Sequence, residues 1–263
     1  MIKRYFPNLL FGAILISLFM RSVCAYDISP IGSLGYGLPV DLRVRDGVAY
    51  VAAKNILSIV DVSNPAQPTQ IGWCDTPEGM EAIDLAGNYV YLTGQSTGLK
   101  VYDISNPLKP FAVGEFTPPG HARSVMVRGT IAYLAASSGG MRVLDVQDPY
   151  NPVEIGFCNL NGSAYNVFVP DNSSYAYVVG GTDGLHVIDI SNPHAPKAVG
   201  HCPTPGSANE VFIKGEIAYI AASNKGLRII DVSDPEKPVE IGFLEKASYW
   251  FNGIHVEDSY AYM

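Results

Sequence analysis

The sequence predicts an all-β fold, a propeller of four-stranded antiparallel blades, and three observations predict it. Two landmarks recur in step along the chain, each period breaks into four short strand-like runs, and no helical period shows after residue 26. The first landmark is an aspartate inside an apolar run: Asp61, Asp103, Asp145, Asp189 and Asp231, spaced 42, 42, 44 and 42 residues apart. The second is a tyrosine, at Tyr50, Tyr91, Tyr133, Tyr177, Tyr219 and Tyr262. Four strands in about 40–45 residues is the length of a propeller blade, where a solenoid coil takes about 20–30. A small sheet that is apolar on both faces cannot exclude water alone, but sheets stacked around an axis cover one another.

The first 25 residues stand apart from the repeat. Lys3 and Arg4 precede the apolar run Leu9 to Phe19, and Val23-Cys24-Ala25 offers small residues for cleavage before Tyr26. This is the pattern of a secretory signal peptide, so the chain is expected to be exported, to the periplasm, the cell surface or the medium. A single membrane anchor is the alternative, although the apolar run is short for a span. A lipid attached at Cys24 fits Arg21-Ser22 poorly.

Residues 26–263 carry the propeller. "PIGSLGYG" (30–37) aligns with the fourth strand of a preceding blade, and is expected to complete the last blade and latch the ring, which hides open sheet edges. Five full units follow, near 40–74, 80–116, 122–158, 164–202 and 208–244, and a sixth begins at Phe251. In the third unit "SVMVRGTIAYLAA" reads as two strands joined through Gly129-Thr130, with Gly47, Gly87-Asn88, Gly215-Glu216 and Asp258-Ser259 at the matching hairpins. "SSGG" (137–140) turns into the third strand, and "QDPYNP" turns again into the fourth. The sequence ends at Met263 inside the second strand of the sixth unit, so it reads as a fragment of a six- or seven-bladed array.

The landmark aspartate recurs in every complete unit, whereas a catalytic group is normally needed once. A carboxylate within an apolar strand must find local partners. The Ser-Asn-Pro that follows (Gln-Asp-Pro or Ser-Asp-Pro in two units) supplies hydroxyl and N–H donors, and its proline ends the strand. Turn architecture is therefore expected; repeated calcium sites are the alternative, and no other cofactor is indicated. The segment "LxVxDxSNPxxPxxVG" at this period resembles the LVIVD repeat family of exported and surface proteins of bacteria and archaea. The resemblance covers about residues 30–263 and implies a β-propeller. It implies no activity and no catalytic residue.

Charge and cysteines narrow the partners. The 17 basic and 25 acidic side chains give −8; without Lys3, Arg4 and Arg21 the balance is 14 against 25, or −11. That sign argues against nucleic acid, whose phosphates need neutralising, and no membrane insertion is expected once the leader is removed. Cys74, Cys158 and Cys202 each lie two residues after the repeat glycine, where other units place Phe116 and Leu244. They read as buried free thiols, since equivalent points on neighbouring blades should exceed the roughly 7 Å limit for bridging. No CxxC or His-rich metal spacing is present. Asn161 and Asn172 begin N-glycosylation sequons.

Function is expected at one mouth of the channel, where loops escape the repeat's packing constraint. One ring position reads Val40, Glu81, Arg123, Tyr165, Asn209 and Asn252, and the next Asp41, Ala82, Ser124, Asn166, Glu210 and Gly253. The candidate binding residues are Glu81, His121, Arg123, Tyr165, Asn166, Asn209, Glu210, Trp250 and Asn252. An aromatic cluster of Tyr249, Trp250 and Phe251 would suit a peptide or sugar. His186 is expected to face solvent and His255 to pack in the core. Two functions fit: a non-enzymatic scaffold for a protein or glycan ligand, or a hydrolase or lyase using Glu81, Arg123, Glu210 and His121. Carboxylates within about 6 Å of one another and of Arg123, with raised pKa, would favour catalysis; a dispersed ring would favour binding.

Overall fold

The computed structural model describes residues 39–53, 55–245 and 249–263. The expected leader (1–25) and latch strand (30–37) lie outside the described residues. Blade one is β1 (Pro39–Arg45), β2 (Val48–Ala53), β3 (Ile56–Asp61) and β4 (Thr69–Asp75); blade two is β5 (Met80–Ala86), β6 (Tyr89–Gly94), β7 (Gly98–Asp103) and β8 (Phe111–Phe116). Blade three is β9 (Ser124–Arg128), β10 (Ile131–Ala135), β11 (Met141–Asp145) and β12 (Val153–Cys158); blade four is β13 (Asn166–Phe168), β14 (Tyr175–Gly180), β15 (Gly184–Asp189) and β16 (Lys197–Cys202). Blade five is β17 (Glu210–Lys214), β18 (Ile217–Ala221), β19 (Leu227–Asp231) and β20 (Val239–Leu244), and β21 (His255–Glu257) with β22 (Tyr260–Tyr262) begins a sixth. Every sheet is antiparallel and runs in simple chain order. The five blades and partial sixth form a β-propeller.

The first strand of each blade touches the first strand of the next, from β1 through β5, β9, β13 and β17 to β21. These strands are therefore innermost. The core sits between blades. Leu57 and Ile59 of blade one meet Ile83 and Leu92 of blade two; Leu99 and Val101 of blade two meet Val125 and Leu134 of blade three. The same pattern joins blades three to four, four to five and five to six. Each fully buried Leu or Ile contributes about 1.5–3 kcal/mol, which a lone blade would forfeit. Tyr50, Tyr91, Tyr133 and Tyr177 lie buried in these layers and Tyr219 packs partly buried against the last; burial pushes the Tyr91 phenol up to about 12.

The landmark aspartates bind the turn that follows them. Asp61, Asp103, Asp145, Asp189 and Asp231 each accept the backbone N–H two residues on, at 2.9, 2.7, 2.8, 2.8 and 2.9 Å. A second ring closes behind it, because Asn64, Asn106, Asp148, Asn192 and Asp234 each accept the N–H two residues further along. The residue after the landmark donates its N–H to the hairpin between the first two strands, as in Val62 to Gly47 at 2.8 Å. The carboxylate thus ties strand end, turn and hairpin into one corner.

The repeat glycine serves the neighbouring blade. Each fourth strand carries a bulge opposite the middle of the third, as between Val101 and Tyr102. The glycine beside that bulge lies under the proline carbonyl of the next blade. A Cβ on Gly72, Gly114, Gly156 or Gly200 would sit 1.9, 2.1, 2.3 or 2.0 Å from the carbonyl oxygen of Pro107, Pro149, Pro193 or Pro235. Gly242 meets only its own Ile229, at 3.8 Å, since no further proline turn lies among the described residues.

Cys158 and Cys202 are buried and Cys74 is half-buried, all three as free thiols. Each packs in an interblade layer. Burial pushes the Cys74 thiol up to about 11; Cys158 and Cys202 are buried as the repeat led one to expect, and Cys74 only in part.

Candidate binding site at the channel mouth

The loops between second and third strands are stitched to the entry of the next blade. Ser137 and Ala164 exchange N–H···O bonds of 2.9 and 3.0 Å, Ala208 donates to Gly181 at 2.8 Å, and Ser223 and Phe251 exchange two of 3.1 Å. Ser137, Gly181 and Ser223 hold φ of 47°, 55° and 46°. A left-handed backbone costs a serine about 1–2 kcal/mol, which the paired bonds offset. The rim is therefore built rather than loose.

Two polar arcs lie on this rim. On blades two to four, Glu81 contacts Gln95 and approaches the Arg123 guanidinium at 3.8 Å, and Arg123 lies over the Tyr165 ring at 4.5 Å. The Arg123 Nε is buried without a hydrogen-bond partner among the described residues. On blades five and six, the Asn209 amide donates to Ser223 Oγ and Asn252 Oδ1, both at 2.9 Å. His121 is exposed at the entry to blade three. Trp250 is 73 % exposed, and Tyr249 and Phe251 beside it have ring centroids 6.4 Å apart.

Asn166 and Glu210 occupy another place. Their carbonyl and carboxylate oxygens accept the N–H of Val211, on the first strand of the next blade, at 3.3 Å and of Ile254, just ahead of the first strand of the next, at 2.7 Å. Asp41 does the same for Ile83 at 3.0 Å and Asp84 for Val127 at 2.7 Å. Met126 presents its sulfur to the Val169 N–H at 3.0 Å. These side chains clasp one inner strand to the next, and each supplies a ladder partner that the splayed inner strands cannot supply to one another.

A charge cluster results inside the channel. Arg43 pairs with Asp41 at 3.0 Å and Asp84 at 3.3 Å. Burial works against the Arg43 charge, but Asp41, Asp84 and Glu210 outweigh it and raise its pKa. Burial, and then the Asp41 carboxylate, push Glu210 up to about 7, against the Ile254 N–H and Arg43. A carboxylate of blade five thus senses charges on blade one. The charges that act on Glu210 are Asp41 and Arg43; Arg123 belongs to the other arc, with Glu81.

Two histidine expectations need correcting. His186 does not face solvent: it is 8 % exposed, held by Asp183 at 2.6 Å and stacked on His201. Burial lowers its pKa, against the Asp183 hydrogen bond. His255 is exposed, with only its edge packed on Phe212 at 5.0 Å, because β21 and β22 have no third strand beside them among the described residues. Sequence spacing also concealed that Asp183, His186 and His201 bring their ligand atoms within 4.8 Å of one another. His186 and His201 are Cα partners across the third and fourth strands, and counting back from the repeat glycine and landmark aspartate in each unit would have paired them.

A model of the LVIVD repeat matches residues 37–76, 81–117, 119–160, 161–204 and 205–245. The chain belongs to the LVIVD repeat family. This LVIVD-repeat chain is also similar to a solved structure, the crystal structure of the computationally designed Ika8 protein, at a TM-score of 0.67 and 10% identity. The match covers 85% of this chain and 66% of that one, just under two thirds of its length. At that identity the likeness concerns the fold. No curated protein is significantly similar to this LVIVD-repeat chain.

Proposed function

We propose that this LVIVD-repeat propeller is an exported, non-enzymatic scaffold that binds a protein or glycan ligand at the channel mouth. The observation that carries the reading is the Glu81–Arg123–Tyr165 arc, where three successive blades each contribute one non-repeating side chain. Arg123 has a buried Nε without a hydrogen-bond partner among the described residues, and its position between a carboxylate and an aromatic ring suits a polar, partly planar ligand such as a sugar or a peptide carboxylate. The exposed Trp250 adds a stacking surface. The acidic balance supports a partner other than nucleic acid.

A hydrolase or lyase is the second reading, and the Glu210 carboxyl with its pKa near 7 beside Asp41 is what favours it. Its carboxylate is already engaged by the Ile254 N–H, and its charged neighbours are not those of the mouth, so binding is the better-supported function. The test is a panel of immobilised surface glycans and peptides probed with the mature chain, Arg123→Ala and Trp250→Ala. A ligand retained by the wild type and lost at least about tenfold in either variant, the size of a modest hot spot, supports the proposal. Turnover of a panel member that depends on Glu210 would replace it with the second reading, and no retention across the panel would count against both.

A further inference from the structure

Blade four departs from the other blades at one cross-strand pair. Where third and fourth strands face each other, Ser58 meets Trp73, Lys100 meets Glu115, Arg142 meets Phe157 and Arg228 meets Phe243. Three of these pairs have their own local purpose: Lys100 contacts Glu115, and Arg142 and Arg228 lie over the Phe157 and Phe243 rings at 4.9 Å. In blade four the pair is His186 and His201, with rings stacked at 4.6 Å and 26°. The turn ahead of the third strand changes with them. Asp183 stands where the other blades have Asn55, Thr97, Gly139 and Lys225, none a carboxylate.

We propose that Asp183, His186 and His201 form a binding site for one divalent transition-metal ion of the zinc type. Two imidazole nitrogens and one carboxylate suit zinc, cobalt, nickel or copper, whereas calcium and magnesium call for oxygen ligands throughout. Bonds of about 2.0–2.2 Å at tetrahedral angles place ligand atoms about 3.3 Å apart. His201 Nε2 and Asp183 Oδ1 are 3.6 Å apart, and the ion would replace the proton that this nitrogen now donates to the Asp183 backbone carbonyl at 2.7 Å. His186 Nε2 and Asp183 Oδ2, at 2.6 Å, are hydrogen-bonded, and opening them by about 0.7 Å would admit the ion at that geometry.

The two histidines stand on adjacent strands of one sheet, and His186 is buried, so their spacing is set before any ion arrives. Asp183 is the adjustable ligand, on a turn. Gly162 packs against it from the blade-three side, where a Cβ would come within 2.8 Å of the Asp183 Cβ. The three side chains open on a cavity of about 300 Å³ whose walls include Asn161 and Glu236. A fourth coordination position facing this cavity is therefore accessible to water or to a ligand group.

The experiment uses the untagged mature chain, stripped with a chelator and then titrated with Zn²⁺ and Co²⁺. One equivalent per chain is expected, with intense visible Co²⁺ bands of a four-coordinate site. Of the five histidine ring signals, Zn²⁺ should shift those of His186 and His201 and leave His121, His194 and His255 in place. Asp183→Asn and His201→Ala, chosen because both side chains are partly exposed, should weaken Zn²⁺ by more than the about 10–100-fold that losing an outer-shell partner costs. His194→Ala should bind as the wild type does. No uptake by the folded wild type, or shifts confined to other histidines, would overturn the site, as would unchanged affinity in both variants; the cluster would then be a hydrogen-bonded Asp–His–His group and nothing more. The wild-type titration decides the question even if a variant fails to fold.

Discussion

Gly114 lies so close beneath the Pro149 carbonyl that a Cβ there would meet its oxygen at 2.1 Å. The two residues belong to different blades, so the glycine of one repeat makes room for the turn of the next. This explains why the landmark segment ends in glycine: the strand could carry a side chain, but the neighbouring blade could not tolerate it. The proline turn is in turn held in shape by the Asp145 carboxylate. One short motif therefore encodes both halves of a joint that forms only when blades stack.

Gly114→Ala should be destabilising by about 1–3 kcal/mol, the range for overpacking a fitted contact. Its φ is not left-handed, so the cost is one of space alone. Gly242→Ala is the matched control. With only Ile229 nearby at 3.8 Å, it should stay within about 0.5 kcal/mol of wild type. Urea unfolding of both variants checks the contrast, and equal losses would show that the glycines serve the strand rather than the joint.

The landmark aspartates predict a small, additive effect of acid. The Ser191 hydroxyl, and then its N–H, hold the Asp189 carboxyl below the usual carboxylate range. Asp61 and Asp231 are held down in the same way by Ser63 and Ser233. A depressed folded pKa stabilises above the unfolded value and loses that contribution as pH falls through the folded one. Each carboxylate is exposed to solvent and each effect small, but the corners lie on separate blades and should add. Replacing all three by Ala should lower the melting temperature at pH 7, and the gap to wild type should narrow below about pH 4. A gap that persists undiminished in acid would place their role elsewhere than in the ionised turn.

The architecture was legible in the sequence because every blade repeats the same solution: Tyr50 and Tyr91 fill equivalent layers, and Asp61 and Asp103 close equivalent corners. The channel was less legible. Asn166 and Glu210 read as rim residues because they break the repeat, yet each accepts an N–H from the next blade, on its inner strand or just ahead of it. That use depends on the distance between two backbones, which no residue identity states. His186 and His201 were missed for a related reason, since 15 positions of chain separate two rings that register brings face to face. Glu81, Arg123 and Tyr165 were read as neighbours within one six-position ring, and these three touch in sequence around the rim.

The expected leader makes a separate prediction. Residues 1–30 fused to an alkaline phosphatase without its own leader should give an active enzyme, because that enzyme needs disulfides that form outside the cytoplasm. Leu15→Arg, in the centre of the apolar run, should abolish activity. N-terminal sequencing of the exported product should begin at Tyr26; a product that keeps its first 25 residues and stays with the membrane would favour an anchor.

Glu210 makes the opposite pH prediction to the aspartates. Its folded pKa of about 7 stands above its ordinary 4.5, so the folded state holds a proton there that the unfolded chain releases. Between those values stability must fall as pH rises, by on the order of 3 kcal/mol in total, and above about pH 7 the contribution is gone. Glu210→Gln keeps an oxygen to accept the Ile254 N–H and removes the charge that burial, and then Asp41, oppose. The variant should therefore equal the wild type near pH 4.5 and exceed its stability at pH 8, with the difference growing between the two. Chemical unfolding of both proteins across that range isolates the effect, because every other side chain is the same in both. A difference that does not depend on pH would mean that Glu210 is ionised throughout, and that Arg43 rather than Asp41 governs it.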